Sequence, residues 1–330
     1  MNKPIIIVVT PIRNEAWILD AYLTCTSSWA DYIILADQHS NDGSREIAAK
    51  YEKVILVDNN LPEMNQAAAR ELLFREVDKI DGDKVVLALD ADEFLSEGFD
   101  KTEGWKRILQ SGPNEIFCFQ WLNLYGDYHH SVPNDGYMEW GCHFASTTSI
   151  ADEYVKCERR SVHEMRVPCL ASATYININD IAFIHLARLN LDRQKNKEAF
   201  YQVSSVAKLQ KRMSAVSLFR TYNFLQFNIN TMKRDVVLYV RDSNLDARDL
   251  VKKVDAGQYY IDEMVRIFER DGYKKYLKLD IWDNPYLIER GINPKEPLIY
   301  RLLFSYLRKT QPKADCRWVQ LMDKVLRRII

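Results

Sequence analysis

The chain has 330 residues, 47% of them hydrophobic, which is enough for one large domain or two ordinary ones with a sizeable core. Its formal net charge of −1 argues against bulk nucleic-acid binding, although residues 300–330 hold eight Lys/Arg against Asp315 and Asp323 and leave the remainder mildly acidic. The six cysteines make no Cys-x-x-Cys pair, which speaks against a zinc knuckle, and no apolar run approaches the ~18–20 residues of a membrane span.

After Asn2-Lys3 a short apolar run ends at Thr10-Pro11, unlike a signal peptide, so a cytoplasmic, reducing location is expected. That run, "PIIIVVT" at 4–10, is the first of four β-branched segments. The others are "YIILAD" at 32–37, "KVILVD" at 53–58 and "KVVLALD" at 84–90. Each is short and apolar on both faces, as strands of a covered parallel sheet are. Helical stretches lie between them, at roughly 14–28, 42–52 and 62–80. The βαβαβαβ order predicts an α/β fold with an open, mostly parallel sheet flanked by helices. From 114 to 186 the chain turns aromatic and β-prone, which predicts a mixed or antiparallel extension of the sheet. From 190 onward helical periodicity dominates, with an amphipathic helix expected from Asp246 to Gly272 and two more near the C-terminus. The expected organisation is a catalytic domain over 1–189, nucleotide-binding in 1–95 and acceptor-side in 96–189, followed by a helical region over 190–330.

Ligands of open α/β sheets bind outside the carboxyl ends of the strands. Three strand ends place polar groups there: "TPIRNE" with Pro11, Arg13 and Glu15; "DQHSNDGS" with Asp37 and Asp42; and "DADE" with Asp90, Asp92 and Glu93. In extended chain, Asp90 and Asp92 project to one side and suit a hard divalent cation, with water and phosphate oxygens completing its shell. Asp81-Gly82-Asp83 repeats the pattern but precedes its strand, so it reads as a solvated turn.

With these motifs in order, the chain resembles the family-2 glycosyltransferases of GT-A fold. The matching elements are Pro11-Ile12-Arg13-Asn14-Glu15, Asp37 to Gly43, Ala69-Arg70 and the acidic Asp90-Ala91-Asp92. Gln38 and His39 stand where the family pattern has Asp and Gly. The resemblance implies an inverting, nucleotide-sugar-dependent transferase, with UDP-sugar the favoured donor and Mn²⁺ or Mg²⁺ the cofactor. It implies that Pro11 and Glu15 shape the base and ribose pocket, with Arg13 beside them. It implies that Asp37 meets the base or ribose, and that Arg70 stands near base or diphosphate. Asp90 would approach ribose and metal, and Asp92 would ligate the metal.

Sugar transfer to a hydroxyl needs a group to take the proton. Glu164, supported by His163, is the candidate base, with Glu139 as alternative and Glu153 and Glu158 behind it. His185 ends an apolar strand and is a candidate third metal ligand. Arg193 and Lys197, four apart on an expected helix, are candidates for the diphosphate. The acceptor is expected to be a saccharide or lipid-linked glycan, as in polysaccharide biosynthesis, and no nucleic acid is expected. The basic C-terminal helix admits two readings, peripheral contact with the inner face of a membrane or helix packing that includes a homodimer. Two rivals stand beside the transferase reading. A nucleotidyltransferase would place a glycine-rich loop after the first strand, where "TPIRNEAW" has no glycine; a degenerate, non-catalytic scaffold is the other.

Overall fold

The computed structural model describes residues 3–61, 65–132, 136–145, 147–157, 165–168, 172–207, 213–223, 231–253 and 255–329. Its centre is a parallel group of strands, β1 (Ile5–Ile12), β2 (Tyr32–Asp37), β3 (Val54–Asp58) and β4 (Lys84–Ala88), ordered β3-β2-β1-β4. Alternate residues serve opposite faces, as a two-residue period requires. Ile6, Val8, Ile33, Leu35, Val85 and Leu87 enter one apolar layer, closed by α1 (Leu19–Ser27). Ile7, Val9, Ile34, Ala36, Val86 and Ala88 enter the other, where Leu73 and Phe74 of the later helix 66–77 pack. Burial on both faces is why these strands lack an alternating polar pattern. The connecting helices are shorter than the sequence predicts: α2 spans Ser44–Ala48 and α3 spans Gln66–Val77. Asn65 caps α3, its side chain accepting from the Ala68 N–H.

The aromatic middle of the chain supplies the mixed extension. β5 (Glu93–Leu95), β6 (Glu115–Leu124), β7 (His130–Val132), β8 (Tyr137–Phe144) and β9 (Thr174–His185) follow, with α4 (Glu103–Leu109) and α5 (Ile150–Val155) between them. β8 runs antiparallel to both β4 and β6, and thereby joins the extension to the parallel centre. A Cβ on Gly141 would lie 2.5 Å from Leu87 Cδ2, so a larger residue at that crossing would force the Leu87 side chain to move. β9 lies parallel to β6 and antiparallel to the short β5.

The chain divides into two compact units, Met1–Leu189 with Thr231–Lys253, and Asn190–Asn230 with Val254–Ile330. Residues 231–253 thus join the sheet unit rather than the helical region. Within that segment β10 (Met232–Lys233) pairs with β7, and Val236, Leu238 and Val240 enter the core. The helix predicted from Asp246 starts only at Gln258, because Gly257 adopts φ 80° and Asp246 caps a separate short 3₁₀ turn, Ala247–Leu250. The second unit contains α6 (Leu191–Ala207), α7 (Ala215–Tyr222), α8 (Gln258–Asp271), α9 (Pro285–Glu289), α10 (Leu298–Thr310) and α11 (Arg317–Ile329). Phe200, Val203, Met264 and Phe268 centre one cluster there; Phe219, Leu303, Phe304 and Leu307 centre another. Among the described residues no helix is long and apolar enough to cross a membrane.

Candidate active site

The first two motifs turn out to hold each other. Asn14 and His39 both take left-handed backbone, φ 56° and 54°, which opens two sharp loops at the ends of β1 and β2. The Asn14 N–H donates to Ser40 Oγ at 2.9 Å, and Asn14 Oδ1 accepts from the Asn41 N–H at 3.0 Å. The Glu15 N–H donates to Ser44 Oγ, and the Ala16 N–H donates to Asp42 Oδ2, both at 2.9 Å. Asp42 Oδ1 also accepts from the Ser44 hydroxyl at 2.6 Å. Asn14, Ser40, Asp42 and Ser44 therefore satisfy the orphan amides of two loops and the start of α2. The departures at 38 and 39 have local explanations. His39 occupies a left-handed position where the family pattern has glycine, and Gln38 donates to the Leu61 carbonyl at 3.0 Å.

Asp37 ends β2 with a side chain that has no exposed surface. Its Oδ2 receives Arg45 Nη1 at 2.7 Å, and the same nitrogen reaches Asp58 at 2.8 Å across the β2–β3 register. Pro11 pairs with Ala36 on the neighbouring strand. Glu15 Oε2 accepts from Trp17 Nε1 at 2.8 Å. Arg13 is half-buried in the loop after β1.

The acidic tip is built differently. Past β4 the chain turns back on itself: the Asp90 N–H donates to Glu93 Oε2 at 2.9 Å, and the Glu93 N–H donates to the Asp90 carbonyl. Two arginines grip the turn. Arg70, buried on α3, sets Nη2 3.2 Å from Asp90 Oδ1. Arg166 sets Nη2 2.9 Å from Asp90 Oδ2 and forks onto Glu93, at 2.5 Å to Oε2 and 2.9 Å to Oε1. Arg166 also donates to the Ala88 carbonyl and lies 5.1 Å from the Trp140 ring centroid. Glu93 is fully buried, and that burial pushes its carboxyl up while the Arg166 guanidinium opposes the shift. Burial works against the Arg166 charge, yet Asp90 and Glu93 outweigh it and hold the guanidinium above its ordinary value. Burial lowers the Arg70 value, and Asp90 opposes that shift in part.

β9 brings the last element. Its terminal residue, His185, pairs with Glu93 of β5, and the Leu186 N–H donates to the Asp92 carbonyl at 2.9 Å. His185 Nδ1 lies 2.7 Å from Asn123 Oδ1. An amide oxygen can only accept, so Nδ1 carries a hydrogen in this contact and Nε2 is the ring nitrogen left to face Asp92. Nε2 stands 3.5 Å from Asp92 Oδ2. Trp121 stacks on the imidazole at 4.6 Å and fixes its plane. A nitrogen and a carboxylate oxygen at that separation suit two ligands of one cation bound at about 2.1 Å from each. Were His185 to ligate a metal, Asn123 would be the partner that orients it. Among the described residues no three His, Cys, Asp or Glu side chains form a ready-made cage, so substrate oxygens and water would complete the shell.

Asp92 and His185 thus face each other at the tip, while Asp90, expected beside them as a third ligand, has its two oxygens held by Arg70 and Arg166. Glu164 and His163 lie outside the described residues, as does Glu158. Glu139 is exposed on β8, and Glu153 pairs with Lys156 at 2.5 Å on α5. Arg193 and Lys197 lie on α6 of the second unit, where Arg193 pairs with Asp255 at 3.1 Å and covers the Tyr260 ring. Trp140 is wholly buried beneath Arg166, which makes it a wall of the site. Three residues of the site escape sequence reasoning in their roles: Glu93, Asn123 and Arg166. Glu93 is visible as the third acid of "DADE", but nothing in that run assigns it a buried arginine. Asn123 and Arg166 carry no local signal, since their partners lie 62 and 76 residues away.

Comparison with known proteins bears on this geometry. The family model "Glycosyl transferase family 2" matches residues 7–156, which contain both motif loops, Arg70 and the acidic tip. A search of curated proteins returned no significant match. Solved structures with some likeness include HddC from Yersinia pseudotuberculosis, 13% identical over 55% of this chain and 93% of that one, TM-score 0.32. Another is glucosyl-3-phosphoglycerate synthase from Mycobacterium tuberculosis, in complex with Mn²⁺, UDP and glucosyl-3-phosphoglycerate. It is 18% identical over 38% of this chain and 46% of that one, TM-score 0.28. A third is 4-diphosphocytidyl-2C-methyl-D-erythritol synthase from Anaerococcus prevotii, 15% identical over 54% and 90% of the two chains, TM-score 0.33. At these identities and scores none of the three bears on substrate or cofactor. The family match, the parallel sheet with its mixed extension and the order of the motifs agree: residues 7–156 match the glycosyl transferase family 2 model and carry a mostly parallel, GT-A-like sheet.

Proposed function

We propose that the protein moves a glycosyl group from a nucleotide-diphospho-sugar, UDP-linked by preference, to a hydroxyl of a saccharide or lipid-linked glycan, with inversion. The observation that carries this reading is the pairing of His185 Nε2 with Asp92 Oδ2 at the end of the sheet, beside Asp90. In the proposed reaction Asp92 and His185 hold a divalent cation, Mn²⁺ or Mg²⁺, which when bound supplies positive charge to the departing diphosphate. Asp90, braced by Arg70 and Arg166, stands on the ribose side. Arg70 Nη1 is buried with no hydrogen-bond acceptor among the described residues, which leaves a donor for a phosphate oxygen. Pro11, Arg13, Glu15 and Arg45, which Asp37 holds from within, line the base side. Glu164, supported by His163, is the base we propose for the acceptor hydroxyl, whose proton it takes as the new glycosidic bond forms.

A thermal-shift screen of nucleotide-sugars against nucleoside triphosphates, with and without Mn²⁺, tests the proposal. At about 100 times Kd a specific ligand stabilises by roughly 2.7 kcal/mol. The expected result is stabilisation by UDP-sugars in the presence of Mn²⁺, lost in Asp92→Asn. Preference for triphosphates would favour nucleotidyl transfer instead, and unchanged metal-independent turnover by Asp92→Asn would overturn the assignment.

A further inference from the structure

Helix α11 turns most of its apolar residues away from the protein. Val319, Asp323 and Leu326 face inward: Asp323 takes Arg220 Nε at 2.8 Å, and Leu326 packs against the Phe219–Leu307 cluster. That anchoring leaves Trp318, Leu321, Met322, Val325 and Ile329 as a second stripe, spaced i, i+3, i+4, i+7 and i+11. Each is 45–70% exposed. At 100° per residue the stripe covers a sector of about 100°, and Arg317, Lys324 and Arg328 adjoin one edge of it. On α10, Leu298, Ile299 and Leu302 are 52–66% exposed as well.

From this arrangement we infer that the outer face of α11, with the exposed residues of α10, docks on an anionic phospholipid bilayer. Charge decides the occupant. The exposed side chains of α10, α11 and their connection include Arg301, Lys309, Lys313, Arg317, Lys324, Arg327 and Arg328, against one exposed acid, Asp315. A second copy seated on this face about a two-fold axis would bring the same cations together. An anionic lipid surface complements them, while the apolar stripe enters the headgroup boundary. With 13 residues, α11 is about 20 Å long, which suits a helix lying in the plane of the interface rather than crossing it. The inference is independent of the donor and acceptor proposed above.

Co-sedimentation of the full chain with phosphatidylglycerol-containing and pure phosphatidylcholine vesicles tests it. Binding is expected to the former, falling as salt is raised. Leu321→Glu/Val325→Glu should lower the bound fraction at least ~10-fold, and Lys324→Glu/Arg327→Glu/Arg328→Glu by roughly 10-fold. Both sets alter exposed side chains, and circular dichroism checks that each variant keeps its fold. Should either misfold, Trp318 decides: its emission should shift to the blue with anionic vesicles, and that shift should be absent in Trp318→Phe. Equal, salt-independent binding to both vesicle types would overturn the inference. So would a lipid-free dimer that Leu321→Glu/Val325→Glu converts to monomer while the wild-type chain ignores vesicles.

Discussion

At the end of β2 the Asp37 carboxylate is fully enclosed, whereas at the tip beyond β4 Asp90 keeps 37% of its side chain exposed. Both are strand-end aspartates of the same sheet, and both carry arginine. The difference lies in where each arginine comes from. Arg45 follows Asp37 by eight residues, is itself 41% exposed and also reaches Asp58, so it closes a local turn. Arg70 and Arg166 arrive from distant segments, are 5% and 13% exposed, and brace Asp90 from beneath. One carboxylate has become part of the loop scaffold, and the other is presented. The strand-end motifs of this chain therefore hold two kinds of residue: those that tie loops together, such as Asn14, Ser40 and Asp42, and those left presented at the sheet edge, such as Asp90.

The largest effect should come from removing the brace. Arg166→Met leaves Glu93 as a buried, uncompensated carboxylate, and breaking such a pair typically costs about 3–5 kcal/mol. Denaturant unfolding measures that loss, and adding Glu93→Gln should recover part of it. Equal stability of Arg166→Met and wild type would show that the tip is not braced as described. A smaller effect is expected at Asn123. Asn123→Leu removes the acceptor that sets the His185 tautomer, and loss of such a partner typically costs 10–100-fold in metal affinity. Mn²⁺ titration followed by thermal shift reads this directly; an unchanged affinity would separate His185 from the cation. The smallest effect lies on the enclosed side. His39→Gly restores a residue suited to φ 54° and should raise stability by about 0.5–1 kcal/mol, after the added chain entropy of glycine is counted. A loss of stability there would mean that the His39 side chain contributes more than its backbone conformation costs.

Much of the fold could be read in advance because its signals are local. The runs at 4–10, 32–37, 53–58 and 84–90 are doubly apolar, and each became a central parallel strand because helices cover both faces of the sheet. The carboxylates of "DADE" were visible as a strand-end cluster by alternation alone. Helix limits were less legible. Gly257 interrupts the helix expected from Asp246, and 231–253 returns to the sheet unit through a two-residue strand too short to leave a periodic pattern.

By itself the sequence determined the parallel core, the two motif loops and the acid cluster at the sheet edge, since each follows from residue type and spacing over a few residues. Only the tertiary structure decided that Asp37 is enclosed by Arg45, that Glu93 is buried under Arg166, and that His185 faces Asp92 with Asn123 behind it. Those arrangements depend on β9 pairing with both β5 and β6, strands some 60 to 90 residues earlier in the chain. Such pairings are selected by closing long loops around a shared core, and that selection leaves no trace in local periodicity.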